Sequence, residues 1–330
     1  LRNSSAASDV YKRQYQGNGK KKDFSFFTKA SYYLRDNIEL YADLQFRKIT
    51  YNTTGLTSDL VNMIIGESHS FFNPKLGLSY NLNLDSSFYL SYSRANREPS
   101  RSDYENNPNV KPEQLNDFEL GWRYNKNNLK FNLNTYYMLY NEQLVLTGAL
   151  DDVGTPIRTN SGTSYRVGIE TDVKLKLSEL FTINSNFTIS SNKNEKILSP
   201  IDGKIFDFGK TNISFSPEFI TSNAIIYNPT ENFNISLLSK YVGSQYMGNT
   251  DALNSKLDSY FVNDLNFSFV LIPNGIFSSI VFSGLVNNIF DVEYVSNGYY
   301  YTYEDTWSDP IQVKTLDGAG YYPQATRNFL

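Results

Sequence analysis

Cysteine is missing altogether and histidine occurs once, at His69. The first absence removes disulfides, thiolate metal centres and cysteine nucleophiles. The second leaves a Ser-His-Asp hydrolase only one place to be built, and there Ser68 and Ser70 are immediate neighbours, whereas triads are assembled from distant segments. Asp59 and Glu67 lie near His69, but one imidazole without thiolates is a poor metal site. We read His69 as a plain surface histidine in a polar loop, and expect no catalytic residue, no metal and no cofactor. Gly-rich phosphate loops and dinucleotide fingerprints are absent as well. A basic field is also lacking: 30 basic and 34 acidic residues leave a net charge of -4. With Lys and Arg scattered along the chain, no nucleic-acid partner is expected. No run approaches the ~18 apolar residues of a membrane helix.

What the chain does have is alternation. Side chains on a strand point to opposite faces in turn, so a period of two marks a strand with two unlike faces. From Tyr165 to Leu177 one parity reads Tyr165, Val167, Ile169, Thr171, Val173, Leu175, Leu177, and the other Arg166, Gly168, Glu170, Asp172, Lys174, Lys176. Leu129, Phe131, Leu133, Thr135, Tyr137 and Leu139 likewise oppose Lys130, Asn132 and Asn134. Leu40, Ala42, Leu44 and Phe46 oppose Glu39, Asp43, Gln45 and Arg47, and Phe118, Leu120, Trp122 and Tyr124 oppose Asp117, Glu119 and Arg123. Two apolar segments, 219–227 and 276–286, leave their faces unassigned.

A soluble sandwich would alternate too. Length and connections favour a membrane barrel. Several segments reach the ~9–11 residues a tilted spanning strand needs, and tight turns near residues 35–37, 83–86, 125–128, 178–180, 228–232 and 272–275 alternate with long polar stretches. Those stretches run at about residues 52–71, 96–112, 141–164, 192–209, 243–256 and 291–321. Short turns on one side and long loops on the other are the layout of outer-membrane barrels, and a barrel that shows lipid only every second residue can be polar on average. The fold class is therefore all-β, a transmembrane antiparallel up-and-down β-barrel, partial, with about 13 of the ~22 strands of a plugged barrel. Tyr32, Tyr80, Tyr124, Tyr227, Tyr241 and Tyr260 suit interfacial girdles.

No signal peptide is visible, which suggests a fragment. Residues 1–14 are small, polar and aperiodic, resemble translated sequencing-adapter sequence, and are set apart from a single unit at 15–330.

Several stretches resemble the barrel of TonB-dependent outer-membrane receptors, particularly those of Bacteroidetes-like bacteria. Lys111-Pro112-Glu113-Gln114-Leu115 with Phe118-Glu119-Leu120-Gly121 is similar to the family's start of a strand after a long loop. Asn160-Ser161-Gly162 leading to Gly168-Ile169-Glu170, and Tyr241-Val242-Gly243-Ser244-Gln245-Tyr246, resemble two further landmarks. Val286-Asn287-Asn288-Ile289-Phe290-Asp291 with Tyr294 resembles the penultimate strand and its exit, and Tyr321 to Leu330 the start of the final strand. The resemblance implies uptake of a scarce nutrient, with ferric siderophore as the modal ligand ahead of haem, cobalamin and oligosaccharide. It also implies the TonB-ExbB-ExbD complex as energising partner, engaged through an N-terminal region, and a cell outer membrane with its lipid and lipopolysaccharide as surroundings. Neither a plug domain nor a TonB-contacting box matches anything here.

The ligand-binding candidates lie in the expected extracellular loops. Arg94, Arg97 and Arg101 with Tyr104 could attract an anionic ferric siderophore, or be solvated or lipopolysaccharide-facing charges beside Asp103 and Glu105. Tyr299, Tyr300, Tyr301, Tyr303 and Trp307 could stack on a ligand, or form a loop lid or interfacial belt. Tyr246 and Met247 carry the same two readings. Passive diffusion barrels and extracellular β-rich adhesins are the competing function classes.

Overall fold

The computed structural model describes residues 16–56, 62–150, 156–273, 275–308 and 312–330; the segment 1–14 and Asp59 lie outside the described residues. In chain order the first elements are β1 (Gly17–Arg35), β2 (Ile38–Leu56), β3 (Asn62–Asn81), β4 (Ser86–Arg97), α1 (Arg101–Asn106), β5 (Glu113–Lys126), β6 (Leu129–Asn141), β7 (Leu144–Leu150), β8 (Pro156–Asn160), β9 (Thr163–Lys176) and β10 (Phe181–Ile201). They are followed by β11 (Lys204–Asn212), β12 (Phe219–Thr230), β13 (Phe233–Val242), β14 (Gln245–Tyr246), β15 (Lys256–Leu257), β16 (Tyr260–Leu271), β17 (Ile280–Asn287), β18 (Val295–Asp305), β19 (Lys314–Pro323) and β20 (Asn328–Phe329). The antiparallel path is β1-β2-β3-β4-β5-β6-β9-β10-β12-β13-β16-β17-β20, with β11 paired to the far length of β10. Each strand pairs with the next one in sequence once the loop hairpins are set aside, the up-and-down order of a barrel wall. The thirteen strands of that path match the number read from periodicity.

Tight connections gather at one end. Residues 36–37, 82–85, 127–128, 177–180 and 231–232 close hairpins there, and Asn127 takes a positive φ of 48°, as a two-residue turn requires. At the other end the connections fold into structures of their own: α1, the separate β7–β8, β14–β15 and β18–β19 ladders, and the β10–β11 extension.

The register confirms the two faces. One row runs Leu40, Leu78, Leu90, Leu120, Thr135, Ile169, Ile189, Phe219 across eight strands. Leu90, Leu120, Ile169 and Ile189 in that row are 54%, 54%, 44% and 55% exposed, which in water would be an apolar patch far larger than a monomer normally shows. In hydrocarbon it is the outer wall of a barrel. The opposite face carries Asp43, Lys75, Ser93, Asp117, Met138, Arg166 and Asn192 in a single cross-strand row. Arg47, Glu119, Arg123, Glu170, Asp172 and Lys174 share this inner parity. The pairing also assigns the ambiguous segments: Phe219, Thr221, Asn223, Ile225 and Tyr227 face outward by pairing with Ile189, Phe187, Ser185, Ile183 and Phe181, and Phe282 does so by pairing with Phe269. Of the six girdle tyrosines all but Tyr260 fall on the outer parity; Tyr260 is inward and packs on Tyr294 at 4.5 Å.

Three expectations need correction. Residues 52–56, 62–71 and 192–201 are not loop but strand, because their backbones pair with one another or with β11 beyond the apolar band. His69 accordingly lies within β3, opposite Ile49, rather than in a polar loop. Tyr321–Pro323 close the β18–β19 ladder, with Val295 opposite Pro323, so the final wall strand begins only at Asn328.

Candidate functional site

The loop end is held together by the same residues that mark the family-like stretches. Asn160 is a clamp: its Oδ1 accepts from the Lys111 backbone at 2.9 Å, and its Nδ2 donates to the Lys111 and Glu142 carbonyls at 3.0 and 2.8 Å. Lys111 Nζ adds an ion pair to Glu142 at 2.7 Å. Glu113 accepts from the Leu144 backbone at 2.8 Å and pairs with Arg97 at 3.2 Å. Lys111-Pro112-Glu113 and Asn160-Ser161-Gly162, far apart in sequence, are thus two halves of one joint, with Gly162 at a φ of +72° that a Cβ would strain.

Against this joint packs α1. Its start is fixed by a capping box in which the Ser100 side chain accepts from Asp103 N and the Asp103 carboxylate accepts from Ser100 N. Tyr104 on α1 is 4% exposed and joins Met63, Ile65, Val110 and Leu144 in a small core against Tyr51. Its ring stacks on Tyr51 at 6.1 Å, and its hydroxyl shares a hydrogen bond of 2.9 Å with His69 Nε2. Burial pushes the Tyr104 phenol up to about 12. Ile49, Met63, Ile65 and Phe71 sit on the inner parity of β2 and β3 and are all buried, so α1 and its neighbours cover the inner wall at its loop end.

A second cluster forms around β18–β19. Tyr299, Tyr301 and Tyr303 line one face at centroid spacings of 6.2 and 6.5 Å. Their rings cross Gly320 and Gly318, where a Cβ would come within 2.4 Å of Tyr299 and 2.6 Å of Tyr301. Tyr300 points the other way: its hydroxyl donates to Asp317 Oδ2 at 3.1 Å, and Asn254 Nδ2 donates to the same oxygen at 2.7 Å. Burial first, and the Asp317 carboxylate second, push the Tyr300 phenol up to about 12. The tip of β10–β11 is tied to this hairpin through Asp202 and Thr315, which exchange bonds of 2.7 and 2.8 Å, and through Gly203 N to Glu304 at 2.8 Å. Asn249, 5% exposed, links three segments: its Oδ1 accepts from Ser214 N at 3.0 Å and Asn194 Nδ2 at 3.4 Å, while its Nδ2 donates to the Leu146 carbonyl at 2.9 Å.

Between the two clusters lies a cavity of about 700 Å³. Val145, Leu146, Ile197, Leu198 and Pro200 give it apolar walls, and Asn160, Asn249 and Thr250 its polar points. The charged residues at its rim are already paired: Glu142 with Lys111 at 2.7 Å, Glu195 with Lys210 at 3.3 Å, Lys196 with Asp207 at 3.1 Å. Its size suits a small-molecule ligand, and its apolar walls suit the aromatic or aliphatic parts of one.

The candidates named from sequence end up in different places. Arg97 engages Glu113 on the inner parity, whereas Arg94 is on the outer parity with its Nε donating to Asn116 Oδ1 at 3.0 Å. Arg101 opens α1 and its guanidinium lies beside Gly17. The three arginines are therefore not gathered on one face. Tyr104 is buried, Tyr246 sits in β14 with its carbonyl accepting from Phe215 N at 2.8 Å, and Met247 is 3% exposed. Tyr299 and Trp307 stay open, at 50% and 82% exposed. The cavity residues Leu146, Ile197 and Asn249 escaped sequence reading because only folding of three separate loops brings them together; the Asn-Ser-Gly turn was the one visible signal.

A family model described as TonB dependent receptor-like, beta-barrel, matches residues 2–289. The catecholate siderophore receptor Fiu of Escherichia coli (strain K12) is 21% identical over 264 residues, covering 74% of this chain and 32% of that protein. Among solved structures, the siderophore receptor PiuA from Acinetobacter baumannii superposes with a TM-score of 0.72 at 16% identity, over 95% of this chain and 43% of that one. The copper transporter OprC does so with a TM-score of 0.71 at 14% identity, over 94% and 47%. The chain thus spans about a third of its curated relative's length and under half of each structure. At these identities the structural likeness speaks for the fold alone, and receptors of different cargo share it.

Proposed function

The chain belongs to the TonB dependent receptor-like β-barrel family, and on that premise we propose that it supplies wall and ligand-facing loops of an outer-membrane receptor that takes up a ferric siderophore in a Gram-negative bacterium, driven by the TonB-ExbB-ExbD complex. The role is binding and passage without covalent chemistry. The observation that carries the reading is the folded loop end: a cavity of about 700 Å³ with apolar walls, set above a sheet whose inner face is polar. A passive diffusion barrel has no need of loops clamped by residues such as Asn160 and Asn249, whereas a receptor needs a shape that persists before its ligand arrives. The Escherichia coli relative Fiu and the structural neighbour PiuA are both siderophore receptors, which supports this cargo.

The test uses the full-length protein. In a host lacking its own catecholate receptors, expression should restore growth on a ferric catecholate as iron source, and removing TonB should abolish that growth. Growth that persists without TonB would refute energised uptake and favour a diffusion barrel. Growth on other iron complexes but not catecholates would overturn the cargo class.

A further inference from the structure

The outer wall is not apolar throughout. Across β10, β12, β13 and β16 one row of directly opposed outward residues reads Ser185, Asn223, Ser239, Asn263, and Val173 on β9 continues it as an apolar residue. On β12 the amide stands midway between two aromatic pairs: Phe219 against Tyr241 at 5.7 Å toward the loop end, and Phe181 against Tyr227 at 4.5 Å toward the tight turns. Aromatic rings mark the two interfaces of a membrane, so Asn223 lies at the depth of the hydrocarbon centre. The outward positions of β6 and β9 carry single threonines, Thr135 and Thr171, and no amide.

Hydrogen bonds within the wall leave this row incomplete. Ser185 Oγ donates to Asn223 Oδ1, Asn223 Nδ2 donates to Thr221 Oγ1 at 3.1 Å, and Ser239 Oγ donates to Asn263 Oδ1. An amide has two donor protons and two acceptor sites, so among the described residues Asn223 keeps one of each unfilled. Asn263 is 4% exposed, and its Nδ2 meets no partner among the described residues. Ile189, Ile225 and Phe267 nearby are 55%, 45% and 41% exposed, so the short polar side chains lie in a shallow trough between protruding apolar ones. Unfilled polar groups are unfavourable at this depth, because acyl chains offer them nothing to bond.

We propose that this face of the wall, centred on Asn223, docks a second copy of this chain within the bilayer. Three features identify the occupant. Between the aromatic levels, the outward positions of β10, β12, β13 and β16 carry no Asp, Glu, Lys or Arg among the described residues, so a charged partner would be buried without counter-charge. Lipid head groups stand at the level of the rings rather than midway between them. An amide is its own complement: about a two-fold axis beside Asn223, the unfilled donor of each copy meets the unfilled acceptor of the other, and the flanking apolar side chains pack in the same step. The inference rests on the chain being membrane-spanning, as proposed above.

The test is energy transfer between donor- and acceptor-labelled copies of the full-length protein in lipid vesicles, followed as the protein-to-lipid ratio is lowered. The wild type should associate, and Asn223→Gln, which keeps an amide, should retain most of that association. A hydrogen bond between segments inside a bilayer is worth about threefold in association and a two-fold axis makes each one twice, so Asn223→Leu with Ser239→Ala should weaken association about tenfold. Thr28→Val, which removes an outward hydroxyl from β1 opposite Leu44, should associate as the wild type does. A wild type that stays monomeric at every ratio, whether or not another protein co-purifies with it, would overturn the proposal, as would unchanged association in the double variant or an equal loss in Thr28→Val. Should the double variant not fold, the contrast between Asn223→Gln and Asn223→Leu decides by itself, equal association of the two refuting the proposal. Heat-modifiable gel migration reports barrel folding separately: its absence in the wild type would sink the membrane reading itself, whereas its presence in a monomeric wild type would sink only this inference.

Discussion

Ile169→Lys separates a membrane wall from a water-exposed sheet by magnitude. Ile169 is the seventh residue of the fourteen in β9, lies between Thr135 and Ile189 in the outward row, and is 44% exposed. If that exposure is to hydrocarbon, a lysine near mid-strand costs ~2–4 kcal/mol, a roughly thirty- to several-hundred-fold fall in the folded to unfolded ratio. If it is to water, a half-exposed lysine is worth less than ~0.5 kcal/mol either way. The neighbouring inward substitution Glu170→Lys serves as control, because Glu170 faces Asn134 and Thr188 across the polar wall and a charge remains in a wet lumen. The assay is urea unfolding of the full-length protein in lipid vesicles, followed by tryptophan fluorescence. An Ile169→Lys variant within ~0.5 kcal/mol of wild type, or a Glu170→Lys variant at least as damaged, would refute the outward assignment and with it the membrane wall.

Three further outcomes follow from the loop end and the wall. Asn160→Ala removes three hydrogen bonds of 2.8–3.0 Å, each worth ~0.5–1.5 kcal/mol; hydrogen exchange should speed up by at least tenfold in the 107–113, 142–146 and 157–162 segments while the wall stays protected. Gly121→Ala places a Cβ 2.0 Å from the Tyr89 ring, so it should destabilise by ~1–3 kcal/mol, and the double variant with Tyr89→Ala should recover part of the loss because the three nearest atoms the new Cβ meets all belong to the Tyr89 side chain. Spectrophotometric titration of the 26 tyrosines should find Tyr104 and Tyr300 among the last to ionise, near 12. Their folded values are raised above the unfolded value near 10, so the docking of α1 and of β18–β19 is fully stabilised below pH ~10 and weakens as pH rises from there toward 12; Tyr300→Phe should blunt that loss at the β18–β19 hairpin.

The exit from β17 shows how much a short motif can hold. Asn288 and Asp291 both take positive φ, 50° and 59°. Asn288 brackets Val292 with bonds of 2.8 and 2.9 Å, its own N–H donates to Asp264 at 2.7 Å, and Asp291 accepts from Arg327 N at 2.8 Å. The run Asn287-Asn288-Ile289-Phe290-Asp291 therefore turns the chain out of the wall into the β18–β19 excursion and catches it again on return. That role could be matched to a family pattern in sequence, but the partner residues, 24 and 36 positions away, could not be named from it.

What the sequence by itself determined is the wall. Alternation fixes which half of each strand is apolar, since a one-residue slip would turn Arg166, Glu170, Asp172 and Lys174 toward lipid, and turn residues fix which ends are tight. The two doubly apolar segments resisted because their inward residues, such as Ile220, Ala224 and Ile226, carry no charge to betray the face; only pairing with neighbours of known parity settled them. The loop end belonged to tertiary structure. There, strands run on past the apolar band and polar-looking loops acquire cores, so that inward Ile49 is buried, Met63 and Ile65 pack with Tyr104, and the arginines part to opposite faces. Periodicity reports the environment on each side of a strand, and above the membrane that environment is made by other loops, whose contacts span as many as 113 residues and leave no local pattern.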